Sequence, residues 1–96
     1  MKVFLIVHGF VQGVGYRHFV RRVAEKNGIR GMVRNMDDGS VQVLAEGDGE
    51  SLSRFESEID VSMGNGPSVH HIERHIEADK EFPKDARSYR EFVIEK

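Results

Sequence analysis

The sequence has no cysteine, only two prolines in 96 residues, and little excess charge of either sign. Without cysteine there are no disulfide bonds and no thiol catalysis, although the cellular compartment is not fixed. A net charge of −2 gives no overall basicity to recruit nucleic acid, so we expect no nucleic-acid partner. The apolar run at residues 3–7 is too short to span a membrane and lacks a signal-peptide cleavage pattern. We therefore expect a cytoplasmic protein with no membrane partner.

The composition is that of an ordinary globular protein, with 39% hydrophobic and 31% charged residues. A chain of this length fits one domain, over residues 1–96. Apolar periodicity predicts helices at 16–26 and 50–59, and strands at 3–7, 29–35, 41–46, 69–78 and 89–95. This order predicts an α+β, ferredoxin-like split βαβ sandwich. Its antiparallel sheet would have four to five strands, with two helices on one face.

The most informative stretch is residues 8–17, HGFVQGVGYR, which joins the first predicted strand to the first predicted helix. Free amides in such a loop and the positive end of the helix dipole can cradle an anion. Arg17 lies in the first helical turn, where its guanidinium can reach back over the loop and suit a phosphoryl group. A tight strand-to-helix turn without a ligand fits the same residues. Neither the Walker pattern nor the dinucleotide-binding pattern is present.

Residues 11–17, VQGVGYR, resemble the signature of the acylphosphatase family. A second signature of that family is similar to residues 31–35, GMVRN, followed by GSV at 39–41 and by Gly47. Three residues depart from the usual family pattern. Tyr16 stands where phenylalanine or methionine is common, Met32 where an aromatic residue is common, and Met36 where threonine is common.

The resemblance implies an acylphosphatase, a hydrolase that cleaves the carboxyl–phosphate bond of small acyl phosphates to a carboxylate and inorganic phosphate. It implies two catalytic residues, Arg17 and Asn35, and a water positioned by Asn35. The phosphate-binding loop it implies consists of Gln12, Gly13, Val14, Gly15, Tyr16 and Arg17. Inorganic phosphate or sulfate is then expected to bind the same loop.

Asn35 ends the second predicted strand, where an asparagine can also simply bond to its own turn backbone. Its amide both donates and accepts, so it can equally hold a water and aim it at phosphorus. The leaving carboxylate has a conjugate acid with a pKa of about 4, so it needs no proton from the protein. Loop amides, one arginine and one asparagine are thus a sufficient set, and we expect no metal and no cofactor.

The histidines are a rival signal. His71 and His75 have a spacing that suits metal ligands on a helix, but on a strand they would lie about 13 Å apart. We therefore expect solvent-facing histidines and no metal site. His8 precedes the glycine loop and has at most a secondary role near the phosphate.

Two other functions fit the predicted fold. Ferredoxin-like sheets can bind RNA by stacking bases on aromatic residues of central strands. In this chain Phe4 is the only aromatic residue in the first strand, and residues 41–46 have none. A non-catalytic anion sensor could use the same loop, but it would need no water-positioning amide such as that of Asn35.

Overall fold

The computed structural model describes all residues from 1 to 96. Its elements are β1 (Lys2–Phe10), α1 (Tyr16–Lys26), β2 (Arg30–Asn35), β3 (Val41–Glu46), α2 (Gly49–Ile59), β4 (Ser68–Ile76) and β5 (Phe92–Glu95). The predicted α+β, ferredoxin-like order is confirmed. None of the helices is long and apolar enough to cross a membrane.

The five strands form one sheet in the order β4-β1-β3-β2-β5. The pairs β1–β3, β1–β4 and β2–β3 are antiparallel, whereas β5 runs parallel to β2. The sheet is therefore mixed, and not antiparallel throughout as predicted. A long connection over residues 77–91 brings the chain to the free edge of β2, so no hairpin imposes an antiparallel direction on β5.

Both helices pack on one face of the sheet. The main core consists of the residues of β1 that point to this face, Val3, Leu5 and Val7, with apolar residues of the helices, among them Val20, Ala24, Leu52, Phe55 and Ile59. Every second strand residue contributes because side chains alternate between the two faces. The buried residues of α2 are Leu52, Phe55 and Ile59, which recur at helical spacing.

The opposite face of the sheet is covered in part by the connection between β4 and β5. Phe82 in that connection packs edge-on against Phe4, with ring centroids 6.5 Å apart, and joins Met32 and Leu44 in a second small core. Phe4 is left only 5% exposed. This cover explains why β1 is apolar on both faces although the helices lie on only one of them.

The strand register brings the glycine loop and the end of β2 to the same edge of the sheet. Val7 of β1 pairs with Val41 of β3, and Val41 pairs with Asn35 of β2. Two strand spacings separate Val7 from Asn35, or roughly 10 Å. Asn35 shares its face with the core residue Val33, two positions earlier, so its side chain points to the face on which α1 begins.

Candidate active site

The loop between β1 and α1 depends on two glycines. Gly13 and Gly15 have φ angles of +74° and +78°, in the left-handed region that side chains other than glycine adopt at a cost. Gly15 is also the N-cap of α1, and it has no side chain to accept a hydrogen bond from the first helical turn. The turn that these glycines permit therefore leaves the amides at the start of α1 open.

None of the backbone amides from Gln12 to His18 donates a hydrogen bond within the protein. The first acceptor used in this region is the carbonyl of Gly15, which receives the amide of Phe19 at 3.1 Å. The first turn of α1 contains no acidic residue that would neutralise the helix dipole. A continuous row of free donors at a positive helix end is a geometry that can hold an anion.

Arg17 lies in the first turn of α1, among the residues whose amides are free. Its side chain is half-buried and forms no ion pair with a carboxylate, whereas Arg21, one turn later, lies 3.4 Å from Glu25. An unpaired guanidinium in the helical turn that carries free amides can offer a planar donor fork to an anion.

Asn35 lies at the carboxyl end of β2 with an unsatisfied acceptor. Its Oδ1 atom is buried and has no hydrogen-bond partner. The β2–β3 turn is closed by other groups: Met36 N donates to Ser40 O at 2.9 Å, and Asp38 Oδ1 accepts from Ser40 N at 2.9 Å. The side chain of Asn35 therefore forms no hydrogen bond within its own turn. Buried acceptors in native proteins nearly always have a partner, so the unpaired Oδ1 calls for an explanation.

The side chain of Gln12 leaves the loop and reaches the β2–β3 turn. Its Nε2 atom donates to Met36 O at 2.7 Å and to Ser40 O at 2.8 Å. The resemblance names Gln12 only as a member of the loop, and no local pattern signals this contact, because its partners lie 24 and 28 residues further along the chain.

Tyr16 contributes its backbone to the loop but sends its side chain into the core. The ring is 1% exposed, and its hydroxyl donates to Ile59 O at 2.8 Å. Burial, and secondarily the charge of Asp60, raises the pKa of Tyr16, so the phenol stays neutral. Val14, also in the predicted loop, is partly buried against the main core.

His8, His71 and His75 lie on the other face of the sheet, away from the side chain of Asn35. His8 Nε2 lies 2.6 Å from Glu73 Oε2, and the ring of His8 stacks on that of His71 at 5.9 Å. The hydrogen bond to His8 is the main cause that lowers the pKa of Glu73. Since His8 is held on this face, the secondary role near the phosphate that the sequence allows it has no geometric support.

His75 corrects the expectation that these histidines face solvent. Its side chain is only 16% exposed and lies beside Phe4, with ring centroids 6.4 Å apart. Carboxylate oxygens of Glu73 and Glu81 lie 3.6 and 3.8 Å from its ring nitrogens. No three histidine, aspartate or glutamate side chains are grouped so that they could hold a metal ion.

Comparison with known proteins identifies the family. A family model described as Acylphosphatase matches residues 3–94, nearly the whole chain. The chain belongs to the acylphosphatase family. The resemblance in residues 11–17 and 31–35 is thereby confirmed, and the loop and the last residue of the second segment, Asn35, lie at the sheet edge described above.

Individual relatives agree with this assignment. A protein of Pasteurella multocida named Acylphosphatase is 36% identical over 94 residues, which cover 98% of this chain and 97% of that protein. A protein of the same name from Thermotoga petrophila is 58% identical over 53 residues, a match that spans 55% of this chain and 59% of that relative. The crystal structure of acylphosphatase from Bacillus subtilis superposes with a TM-score of 0.80 at 33% identity, covering 99% of this chain and 98% of that one.

Proposed function

We propose that this chain is an acylphosphatase that hydrolyses the carboxyl–phosphate bond of small acyl phosphates. The observation that supports the proposal is the strand register, which brings a loop with free amides and an arginine without an ion pair to the same edge of the sheet as Asn35, whose Oδ1 has no partner. Residues 1–96 would act as a single domain. We further propose that the enzyme is cytoplasmic, which a localisation experiment tests.

The first step of the proposed reaction is capture of the phosphoryl group. The amides of the loop, from Gln12 to Arg17, would surround its oxygens, and the guanidinium of Arg17 would form a bidentate contact with two of them. These donors are placed before the substrate arrives, so they stabilise the charge that spreads over the oxygens in the transition state without a cost of reorganisation.

The second step is attack by water. Asn35 Oδ1 would accept a hydrogen bond from the water and aim its lone pair at phosphorus. The water oxygen forms a bond to phosphorus while the bond from phosphorus to the carboxyl oxygen breaks, and the electron pair leaves with the carboxylate. The proton of the water passes to a phosphate oxygen, so the products are a carboxylate and inorganic phosphate.

The proposed mechanism uses no cofactor. The carboxylate is a good leaving group, because its conjugate acid has a pKa of about 4. Phosphoryl transfer then demands mainly positioning and charge stabilisation, which the loop amides, Arg17 and Asn35 would supply. We therefore propose that the reaction is independent of metal ions.

The two other functions lack comparable support. In RNA-binding modules of this fold, aromatic residues on the open sheet face stack with bases. Of the two aromatic residues of β1, Phe4 is covered by Phe82 and is 5% exposed, and Phe10, the last residue of the strand, is 59% exposed. The other central strand, β3, has no aromatic residue on which a second base could stack. An anion sensor would have no use for a buried, unsatisfied Oδ1 on Asn35 beside the loop. Both observations favour the enzyme.

The proposal is tested by measuring phosphate release from acetyl phosphate with the wild-type protein and with Arg17→Ala. We expect Arg17→Ala to lower turnover at least about 100-fold, since a charge-assisted contact in the transition state contributes about 3 kcal/mol. Lysine at this position should rescue poorly, because a point charge cannot replace the planar fork.

Arg21→Ala is the matched control, since Arg21 lies one turn further along α1 and pairs with Glu25. It should keep turnover within about threefold, well short of the tenfold change that 1.4 kcal/mol represents. Absence of phosphate release by the wild-type protein, or full turnover by folded Arg17→Ala, would contradict the proposal.

A further inference from the structure

We propose that Gln12 is a positioning residue, whose side-chain amide holds the β2–β3 turn, and with it Asn35, at a set place relative to the glycine loop. The inference rests on the function proposed above, and it adds to that function a role for the Gln12 side chain. The backbone amide of Gln12 belongs to the row of free donors, whereas its side chain points elsewhere and makes different contacts.

The contacts of the side chain define its orientation. Gln12 Nε2 lies 2.7 Å from Met36 O and 2.8 Å from Ser40 O. Both partners are carbonyl oxygens, which can only accept, so the NH₂ group and not the amide oxygen must face them. Each of the two hydrogens of the NH₂ group therefore has its own acceptor, and both acceptors belong to the same turn.

The turn that Gln12 contacts is itself well connected. The two carbonyls that Gln12 contacts also accept the hydrogen bonds that close the turn. Gly39 N donates to Met36 O at 3.2 Å, and Met36 N donates to Ser40 O at 2.9 Å. Asp38 Oδ1 accepts from Ser40 N at 2.9 Å and from Ser40 Oγ at 2.6 Å, and Ser40 is 4% exposed. Because these bonds hold the turn together, the contact with Gln12 positions the turn as a whole.

Asn35 follows the turn because it directly precedes Met36 in the chain. Its backbone is paired with Val41, but its side chain has no partner that would set its position against the loop. Gln12 supplies that reference, since it is bonded to the turn at one end and is part of the loop at the other. Loss of this link would displace the water that Asn35 aims, and a misplacement of about 1 Å can cost about 100-fold in rate.

The test replaces Gln12 with methionine, which has a similar length but no donor. We expect Gln12→Met to lower kcat on acetyl phosphate about 10- to 100-fold. The inhibition constant of inorganic phosphate should change less than about threefold, because the backbone amide of residue 12 is retained. A role in stability alone would not produce this split between kcat and phosphate affinity.

Gln42→Met is the matched control. Gln42 Oε1 also takes part in two hydrogen bonds, from Arg34 Nε at 3.1 Å and from Arg34 Nη2 at 2.9 Å, but on the other face of the sheet. We expect this variant to keep kcat within about threefold. Thermal unfolding of both variants establishes that each is folded at the assay temperature. If Gln12→Met does not fold, Gln12→Asn, shorter by one methylene, is measured in its place with the same expected result.

A double variant tests whether Gln12 acts through Asn35. In Asn35→Ala the group to be positioned is gone, so adding Gln12→Met should lower kcat by less than about threefold more. Losses that multiply would show that Gln12 acts independently of Asn35 and would overturn the inference. So would a Gln12→Met enzyme with kcat within threefold of wild type while Asn35→Ala is impaired, an outcome that leaves the proposed function intact. If the wild-type protein releases no phosphate, the proposed function fails, and this inference with it.

Discussion

Removal of the Tyr16 hydroxyl by Tyr16→Phe should destabilise the protein measurably, and the structure indicates by how much. The hydroxyl donates at 2.8 Å to the carbonyl of Ile59, the last residue of α2, and no backbone amide donates to that oxygen. Carbonyls in the last turn of a helix lack an intrahelical partner, so the tyrosine supplies one from another element. Because Tyr16 is 1% exposed, a water molecule cannot easily replace the hydroxyl as the donor to this carbonyl.

The loss of this bond leaves the carbonyl of Ile59 unpaired in a buried site. Stranding a buried polar group costs about 1–3 kcal/mol, and we take about 1.5 kcal/mol for a neutral pair of good length. For a domain of this size each kcal/mol shifts Tm by about 4–8 °C, so we expect a decrease of about 6–12 °C. Urea unfolding followed by far-UV circular dichroism should give the same free-energy difference from the midpoint at an unchanged m-value.

Tyr89→Phe is the matched control for this prediction. The hydroxyl of Tyr89 lies 3.3 Å from Glu95 Oε2 at a half-exposed position, and its ring stacks with the guanidinium of Arg87, a contact that phenylalanine retains. We expect less than about 0.5 kcal/mol of destabilisation, as for most surface substitutions. Equal losses in the two variants, or no loss in Tyr16→Phe, would refute the reasoning from the buried carbonyl.

Three more measurements test the protonation of Tyr16, the place of the phosphate site and the independence from metal ions. Because burial raises the pKa of Tyr16 above its unfolded value of about 10, the folded state holds a proton there that the unfolded state loses. Stability should therefore fall as pH rises beyond about 10, and less steeply in Tyr16→Phe; parallel alkaline unfolding curves would contradict this. Titration with inorganic phosphate should move the amide resonances of residues 12–17 first, and largest shifts at residues 70–75 would show that the site is misplaced. Dialysis against a strong chelator should leave phosphate release unchanged, and a loss that magnesium or zinc restores would overturn the metal-free mechanism.

The helices and strands whose bounds are set by nearby residues agree with the sequence prediction. The bounds of α1 and of β3 are those predicted, and α2 begins one residue earlier. In α1 the apolar positions recur at helical spacing, and the helix ends at Lys26, capped by Asn27 and followed by Gly28 at a φ of +69°. Strong periodicity and a terminal glycine are signals that lie within a few residues of the boundary, so a single sequence contains them.

Features that depend on distant contacts could not be predicted in this way. The direction of β5 follows from the path of the long connection before it, and the contact of Phe82 with Phe4 joins segments far apart in the chain. His75 is predicted to face solvent, whereas Glu81 of the same connection and the neighbouring Glu73 lie against its ring.

In the candidate site, too, some features can be predicted from the sequence and others depend on distant contacts. The family motifs point to Arg17 and Asn35, and the register of β1, β3 and β2 brings the two segments to one edge. The destination of the Gln12 and Tyr16 side chains is not visible in the motif that contains them. One reaches a turn 24 residues later and the other a helix end 43 residues later, so both contacts emerge only from the packing of the whole fold.

The central claim is that Asn35 aims the attacking water while the loop and Arg17 hold the phosphoryl group. The most direct test pairs two measurements on Asn35→Ala: turnover on acetyl phosphate, and affinity for inorganic phosphate by calorimetry. Asn65→Ala, in the exposed loop between α2 and β4, is the control. An interaction made chiefly in the transition state predicts a strong loss of kcat with phosphate affinity nearly intact. Turnover within about threefold of wild type, well under the tenfold change that 1.4 kcal/mol represents, would contradict the claim.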